Sequence, residues 1–333
     1  MIYKTIDKIK CGDMLAKPLF NNECSILLTA NSRLTVKNIE KLKELGFKGI
    51  YVYDKPDDDS RQIDLLSDDV RQKALKSLKH INIDDCLYIA NVITNTVLEK
   101  PDILYDMMSI CSYDNRTYTH CINVAVLATM IGVDRNMSNA ELCELAQAAL
   151  LHDIGKTCLD EKLLNKAEQL TENVYNEIKR HAEYGYNMLK KDTMISENVR
   201  LGVLYHHENE NGTGYPHRLS GDKIPQIAKI IHIADVYDAM ISERSYKSTI
   251  NPADVLEYIM GNVCIFDITL IISLIHCVAL YPTGSEVLLS DGRKGIVAKN
   301  TKGFPQRPEL TLADGSHINL MKELNVTIVK ILT

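Results

Sequence analysis

Seven of the ten histidines of the chain lie between positions 120 and 232, and the first 79 residues contain none. Imidazole nitrogen suits Zn, Fe and Mn, so such a cluster invites a metal reading, with each member weighed by its companions. His152-Asp153 closes the apolar run AQAALL and is followed by Gly155 and Lys156. At a fraying helix end before a glycine both side chains can turn towards one ion. The competing reading is a helix C-terminus that places a histidine near free carbonyls. Asp114, Thr117 and His120 recur every third residue, and His120 continues onto the apolar stripe of Val124 and Leu127. A core histidine with a hydrogen-bond partner would show the same pattern. His181 is read on a single helix, NVYNEIKRHAEYGYNML, in line with Val174 and Ile178. His206 and His207 stand together before a loop in which Gly212 and Gly214 permit close backbone approach and Pro216 stiffens the exit. Asp235 lies in the nearly all-apolar stretch IIHIADVYDAM, where a carboxylate is costly unless it meets a cation or a donor. Asp238, one turn on, reads either as a partner that orients a ligand or as a cap for a neighbouring helix.

Five histidines and two aspartates offer borderline nitrogen and hard oxygen without thiolate, and they are too many for one ordinary ion. Two ions sharing a carboxylate fit the count better. Metals about 3.5–4 Å apart activate a bridging water and stabilise the leaving oxygen of a phosphate ester, which is hydrolysis without a protein nucleophile. The chain has no G-x-S-x-G elbow, Walker loop or G-x-G-x-x-G turn.

The elements that must position these groups are legible from periodicity and punctuation. Residues 1–60 mix the short apolar runs SILLTA and KGIYVY with turn signals and a helix pattern from Leu34 to Leu45, a small α+β module. Pro56 and a dense group of aspartates open a linker and helical connector over 61–110. Helical periodicity dominates from about Val70 to Ala279, with a capping box at Ser138 and Glu141, a start at Asn251-Pro252 and a stop at Gly261. From 281 to 333 the pattern turns to alternation around Asp291-Gly292 and Asp314-Gly315, both hairpin signals, and predicts a small β-barrel-like module. The chain is therefore expected to be mainly α.

Length and composition agree with a multi-domain protein of 333 residues, 45% of them hydrophobic. A net charge of −6 and a pI near 5.9 give no general attraction for a DNA or RNA polymer or an anionic membrane, so a phosphate-bearing ligand must be held by local charge. Nine scattered cysteines without a C-x-x-C pair read as reduced thiols, and with no apolar run of membrane-spanning length the expected location is cytoplasmic.

From about residue 111 to 280 the sequence resembles the HD-GYP family, a branch of the HD-domain metal-dependent phosphohydrolases. D-x-x-T-x-x-H is matched by Asp114, Thr117 and His120, HDIGK by His152 to Lys156, and HAEYG by His181 to Gly185. HHE is matched by His206 to Glu208, GYP by Gly214 to Pro216, and the last helix motif by Asp235 to Tyr246. The resemblance implies an all-helical HD-type bundle over 111–280 that hydrolyses cyclic di-GMP to linear pGpG, with onward cleavage to GMP left open, through a hydroxide bridging two divalent ions, Fe or Mn. Some members accept hybrid cyclic GMP-AMP. Carried over by motif, His120, His152, Asp153, His181, His206, His207 and Asp235 are implied metal ligands, with Asp153 the bridge. Lys156 is implied to meet the phosphate or the attacking hydroxide, and Asp114, Tyr215, Arg244 and Lys247 to contact substrate. The implied partner is a cyclic dinucleotide, and a homodimer stays open.

The pattern is departed from in two places. Members with a third metal carry Glu four residues before the first histidine, where this chain has Arg116. The aromatic-Asp pair after the twin histidines is replaced by Glu210 and Asn211. Other readings are a generic HD nucleotidase, which has no reason to keep the GYP loop, a di-iron oxygenase, which would consume oxygen, and a binding-only receptor, which would have lost its metal ligands.

Overall fold

The protein is described by a computed structural model, which covers residues 2–47, 49–53, 65–105, 116–160, 163, 171–244 and 252–332. Strand β1 (Ile2–Thr5) pairs antiparallel with β4 (Gly49–Val52), and β2 (Leu19–Phe20) with β3 (Ile26–Leu28). Helix α1 (Val36–Glu44) starts at Thr35, which forms a reciprocal capping box with Asn38. The N-terminal part has its own core of Leu15, Leu34, Leu42, Ile50 and Val52. Phe20 and Cys24, from the β2–β3 hairpin, instead belong to the main core.

Helices α2 (Asp68–Lys79) and α3 (Ile83–Glu99) lead into α4 (Arg116–Asp134) and α5 (Asn139–Leu151), with Ser138 and Glu141 forming the expected capping box. Positions 121–132 of α4 are all buried, so this helix is enclosed on every side and runs through the centre of the bundle. A short 3₁₀ turn (Ile154–Cys158) follows α5. Then come α6 (Glu172–Lys179), α7 (His181–Leu189), α8 (Glu197–Tyr205) and α9 (Gln226–Arg244). The bundle closes with α10 (Pro252–Gly261) and α11 (Ile268–Cys277). The single helix expected around His181 is broken at Arg180 between α6 and α7. There the Nδ1 of His181 donates to the carbonyl of Ile178, a side-chain bond that competes with the helical ladder.

The C-terminal residues form a five-stranded antiparallel sheet in the order β8 (His317–Asn319), β7 (Glu309–Leu312), β6 (Lys294–Lys299), β5 (Glu286–Leu289), β9 (Ile328–Ile331). Both predicted hairpins are present, with Gly292 at φ 86° and Gly315 at φ 83°. The barrel-like expectation is corrected, because β8 and β9 remain the two edges. The inward row of Val287, Leu289, Val297, Leu310, Leu312 and Ile318 joins the same cluster as the helical core, so the sheet covers its apolar face without curling onto itself. At the junction of bundle and sheet, Tyr105 forms a parallel bridge with Val278.

Candidate metal centre

Three histidines are placed by one device. His152 caps the C-terminus of α5, His206 caps α8, and His181 follows the end of α6. In each, Nδ1 donates to the carbonyl three residues back, His152 to Ala149, His206 to Val203 and His181 to Ile178, every time at 2.7 Å. Helix ends leave those carbonyls without intrahelical partners, so the bond both satisfies the terminus and fixes the tautomer, turning the Nε2 lone pair inward. His181 Nε2 and His206 Nε2 lie 3.3 Å apart. Asp153 sits between the groups: its Oδ2 is 3.4 Å from His152 Nε2 and its Oδ1 3.4 Å from His181 Nε2. The Lys156 ammonium donates to Oδ2 of the same carboxylate.

On the far side His120 is held by two carboxylates of α9, through Nε2 to Asp235 at 2.9 Å and Nδ1 to Asp238 at 2.7 Å. Asp238 is itself buried and also accepts from the Tyr105 hydroxyl at 2.7 Å and the Asn123 amide at 3.0 Å. His207 approaches Asp235 at 3.9 Å and stacks on Tyr215, ring centroids 4.6 Å apart.

The GYP loop is fastened from below. Buried Glu208 accepts from the backbone N–H groups of His217 at 2.7 Å and Leu219 at 3.0 Å. A side chain at Gly214 would collide with the carbonyl of His207 and the amide of Asn209, so only glycine lets Tyr215 return over His207. The two residues that replace the aromatic-Asp pair serve the same loop. Glu210 pairs with Lys229 at 2.6 Å, and Asn211 accepts from the amide of Thr213 at 3.1 Å.

Burial is the largest influence on His120, Asp153, Lys156, His181, His206, His207 and Asp235. It pushes His206 and His207 well below the ordinary imidazole range, helped by neighbouring imidazoles, and lowers His181, so all three offer neutral nitrogen. For His120 burial is outweighed by hydrogen bonds to Asp235 and Asp238, which take it up to about 10. Asp153 and Asp235 resist burial too, held well below the usual carboxylate range by Lys156 and His152 in the first case and by His120 in the second. Lys156 stays cationic because Asp153 offsets its burial.

The donors meet in three overlapping groups: His120, His152 and Asp153; His152, His206 and Asp235; and His181, His206 and His207. Within each, one ligand atom per residue lies within 4.8 Å of the others. Buried polar atoms are ordinarily satisfied, yet His152 Nε2 and Asp153 Oδ1 have no hydrogen-bond partner among the described residues. Neutral imidazoles and ionised carboxylates converging with open lone pairs fit a divalent metal.

All seven residues expected as ligands are thus brought together, with Lys156 and Tyr215 beside them. Asp114 and Lys247 lie outside the described residues, and Arg244 is described only as the last residue of α9. Residue spacing alone missed Tyr105 and Asn123, whose only signal is tertiary, and it missed Lys179. The Lys179 ammonium lies 5.4 Å from the centre of the Tyr215 ring.

A family model described as HD domain matches residues 100–270, about half of the chain. The chain belongs to the HD domain family. This bears out the resemblance drawn from the motifs. Among curated relatives of this HD domain protein, a cyclic di-GMP phosphodiesterase of Pseudomonas aeruginosa is 34% identical over 211 residues, covering 63% of this chain and 50% of that protein. A cyclic di-GMP phosphodiesterase response regulator of Xanthomonas campestris is 36% identical over 135 residues, covering 40% and 36%. The chain thus spans half or less of the length of these relatives. An HDG"Y"P protein from Bdellovibrio bacteriovorus shares the fold, with a TM-score of 0.56 at 16% identity over 82% of this chain and 97% of that one. Among the described residues no helix is long and apolar enough to cross a membrane.

Proposed function

We propose that this HD domain protein is a metal-dependent phosphodiesterase that hydrolyses cyclic di-GMP to linear pGpG, using two divalent ions, Fe or Mn. The observation that carries the reading is the convergence of open Nε2 lone pairs on Asp153, whose two oxygens face different histidines. His120, His152, His181, His206, His207 and Asp235 would hold the ions, with Asp153 between them. Bound there, such ions supply a water acidified to near neutrality and a Lewis acid for the leaving oxygen.

The chain's own groups have separable tasks. Lys156 keeps its proton and serves as a cation beside the reacting phosphate, not as a base. Burial pushes the Tyr215 hydroxyl far above the ordinary phenol range, so it acts as a neutral donor towards substrate. Asp114, Arg244 and Lys247 complete the substrate contacts in this reading. Asp238, with Tyr105 and Asn123, fixes the ring of His120 and so its ligating nitrogen. The same reading divides the chain into an α+β module at 1–60, a connector at 61–110, the phosphohydrolase domain at 111–280 and a β module at 281–333. It places the protein in the cytoplasm.

The test is turnover by anaerobically prepared protein loaded with iron or manganese, on cyclic di-GMP, hybrid cyclic GMP-AMP and nucleoside triphosphates, with oxygen uptake followed in parallel. Cleavage of cyclic dinucleotides with two ions per chain is expected. Preference for triphosphates would make the protein a nucleotidase, and substrate-dependent oxygen consumption would make it an oxygenase.

A further inference from the structure

Lys179 ends α6 two residues before His181, and its long side chain is half-buried. The ammonium lies 4.2 Å from the centre of the Tyr175 ring and 5.4 Å from that of Tyr215. No carboxylate among the described residues forms an ion pair with it, although the chain carries an excess of acid. A half-buried ammonium commonly finds a carboxylate; here two aromatic faces steady it through their quadrupoles and leave its charge uncancelled. One of those rings, Tyr215, is also stacked at 26° on His207 of the metal centre. A positive charge is therefore parked one aromatic ring away from a ligand, at the rim of the site.

We infer that Lys179, steadied by Tyr175 and Tyr215, joins Arg244 in holding the phosphate of the substrate that is not being cleaved. The inference rests on the proposed cyclic-dinucleotide reading. Such a substrate presents two anionic phosphates. The metal centre and Lys156 meet the reacting one, but Lys156 is already engaged by Asp153 and cannot serve both. A chain of net charge −6 has no general field to attract the second, so a local cation must do so. An ammonium suits this task because it acts as a point charge and needs no fixed fork geometry. Tyr175 is 49% exposed, which leaves the approach to the ammonium open.

The experiment compares wild type with Lys179→Met, which keeps the apolar stem between the rings, and Lys179→Arg, which keeps the charge. Each metal-loaded protein is assayed on cyclic di-GMP and on bis(p-nitrophenyl) phosphate, which has a single phosphate. Lys179→Met is expected to raise KM for cyclic di-GMP about ten-fold, the low end for a charge-assisted contact at a solvent-screened rim, with kcat little changed. Turnover of the small ester and metal content should stay at wild-type level, and Lys179→Arg should recover most of the lost capture. Unchanged kcat/KM for cyclic di-GMP in Lys179→Met would overturn the assignment, as would equal losses on both substrates. If wild type cleaved the small ester but no cyclic dinucleotide, the proposed function would fall and this subsite with it. Turnover by wild type that Lys179→Met leaves untouched would remove the subsite alone.

Discussion

Replacing Asp238 by Asn isolates the support of a ligand from the ligand itself. Asp238 accepts from at least three donors, His120 Nδ1 at 2.7 Å, Tyr105 Oη at 2.7 Å and Asn123 Nδ2 at 3.0 Å, and it is 1% exposed. Asn has the same shape but one acceptor oxygen and no charge. The Tyr105 hydroxyl can rotate and the Asn123 amide can flip, whereas His120 needs an acceptor at Nδ1 to keep its other nitrogen available, so the new carbonyl is expected to face His120. Two effects then compete on stability. Three hydrogen bonds to a charged group become neutral ones, a loss of roughly 1 kcal/mol each, while removal of a buried charge returns several kcal/mol of desolvation. These nearly cancel, so the metal-free variant should melt close to wild type. Metal affinity has no such offset. Loss of an anionic partner behind a ligating histidine weakens binding about ten- to a hundred-fold, or roughly 1.4–2.7 kcal/mol. The assay is competition with a chelator of known affinity under anaerobic conditions, with the melting temperature of the stripped protein as control. A folded Asp238→Asn protein with wild-type metal affinity and turnover would refute the claim that this carboxylate orients His120.

Other consequences follow from the same geometry. An added Cβ at Gly155 would overlap the carbonyl oxygen of His181 and come within 2.5 Å of the Gly185 amide, so Gly155→Ala should cost about 1–3 kcal/mol and displace His181, lowering metal content. Wild-type melting and metal occupancy in that variant would remove the close turn from the argument. In the metal-stripped protein His120 is raised from 6.5 to about 10, burial being outweighed by Asp235 and Asp238. Its contribution to stability is therefore complete below about pH 6.5 and lost as pH rises through 10. The melting advantage of wild type over His120→Gln should shrink across that window, and a pH-independent difference would show that the clamp does not form. Arg244→Ala should lower kcat/KM for cyclic di-GMP about ten- to a hundred-fold and leave bis(p-nitrophenyl) phosphate and metal content alone. Equal losses on both substrates would move Arg244 to the reacting phosphate.

What the sequence determined by itself is what depends on neighbours along the chain. The capping box at Ser138, the ends at Pro252 and Gly261, and the hairpins at Asp291-Gly292 and Asp314-Gly315 are local bargains between a side chain or a positive φ and the adjacent backbone, and all stand in the structure. The clustering of the seven candidate ligands was legible for a related reason: metal chemistry restricts the residue types, and helix ends place three of them, His152, His181 and His206. The rest was decided by tertiary packing. The break at Arg180 arises because His181 bonds the Ile178 carbonyl while its Nε2 meets His206, a partner 25 residues away. The open sheet reflects a helical core already present to cover its apolar face, which hairpin signals cannot announce. Tyr105 belongs to the site only because it crosses 133 residues of sequence to reach Asp238, and Lys179 only because Tyr215 folds back over His207 on a glycine hinge. Such pairings carry no periodicity, since the contact is created by the fold and leaves no trace in the spacing of the residues that make it.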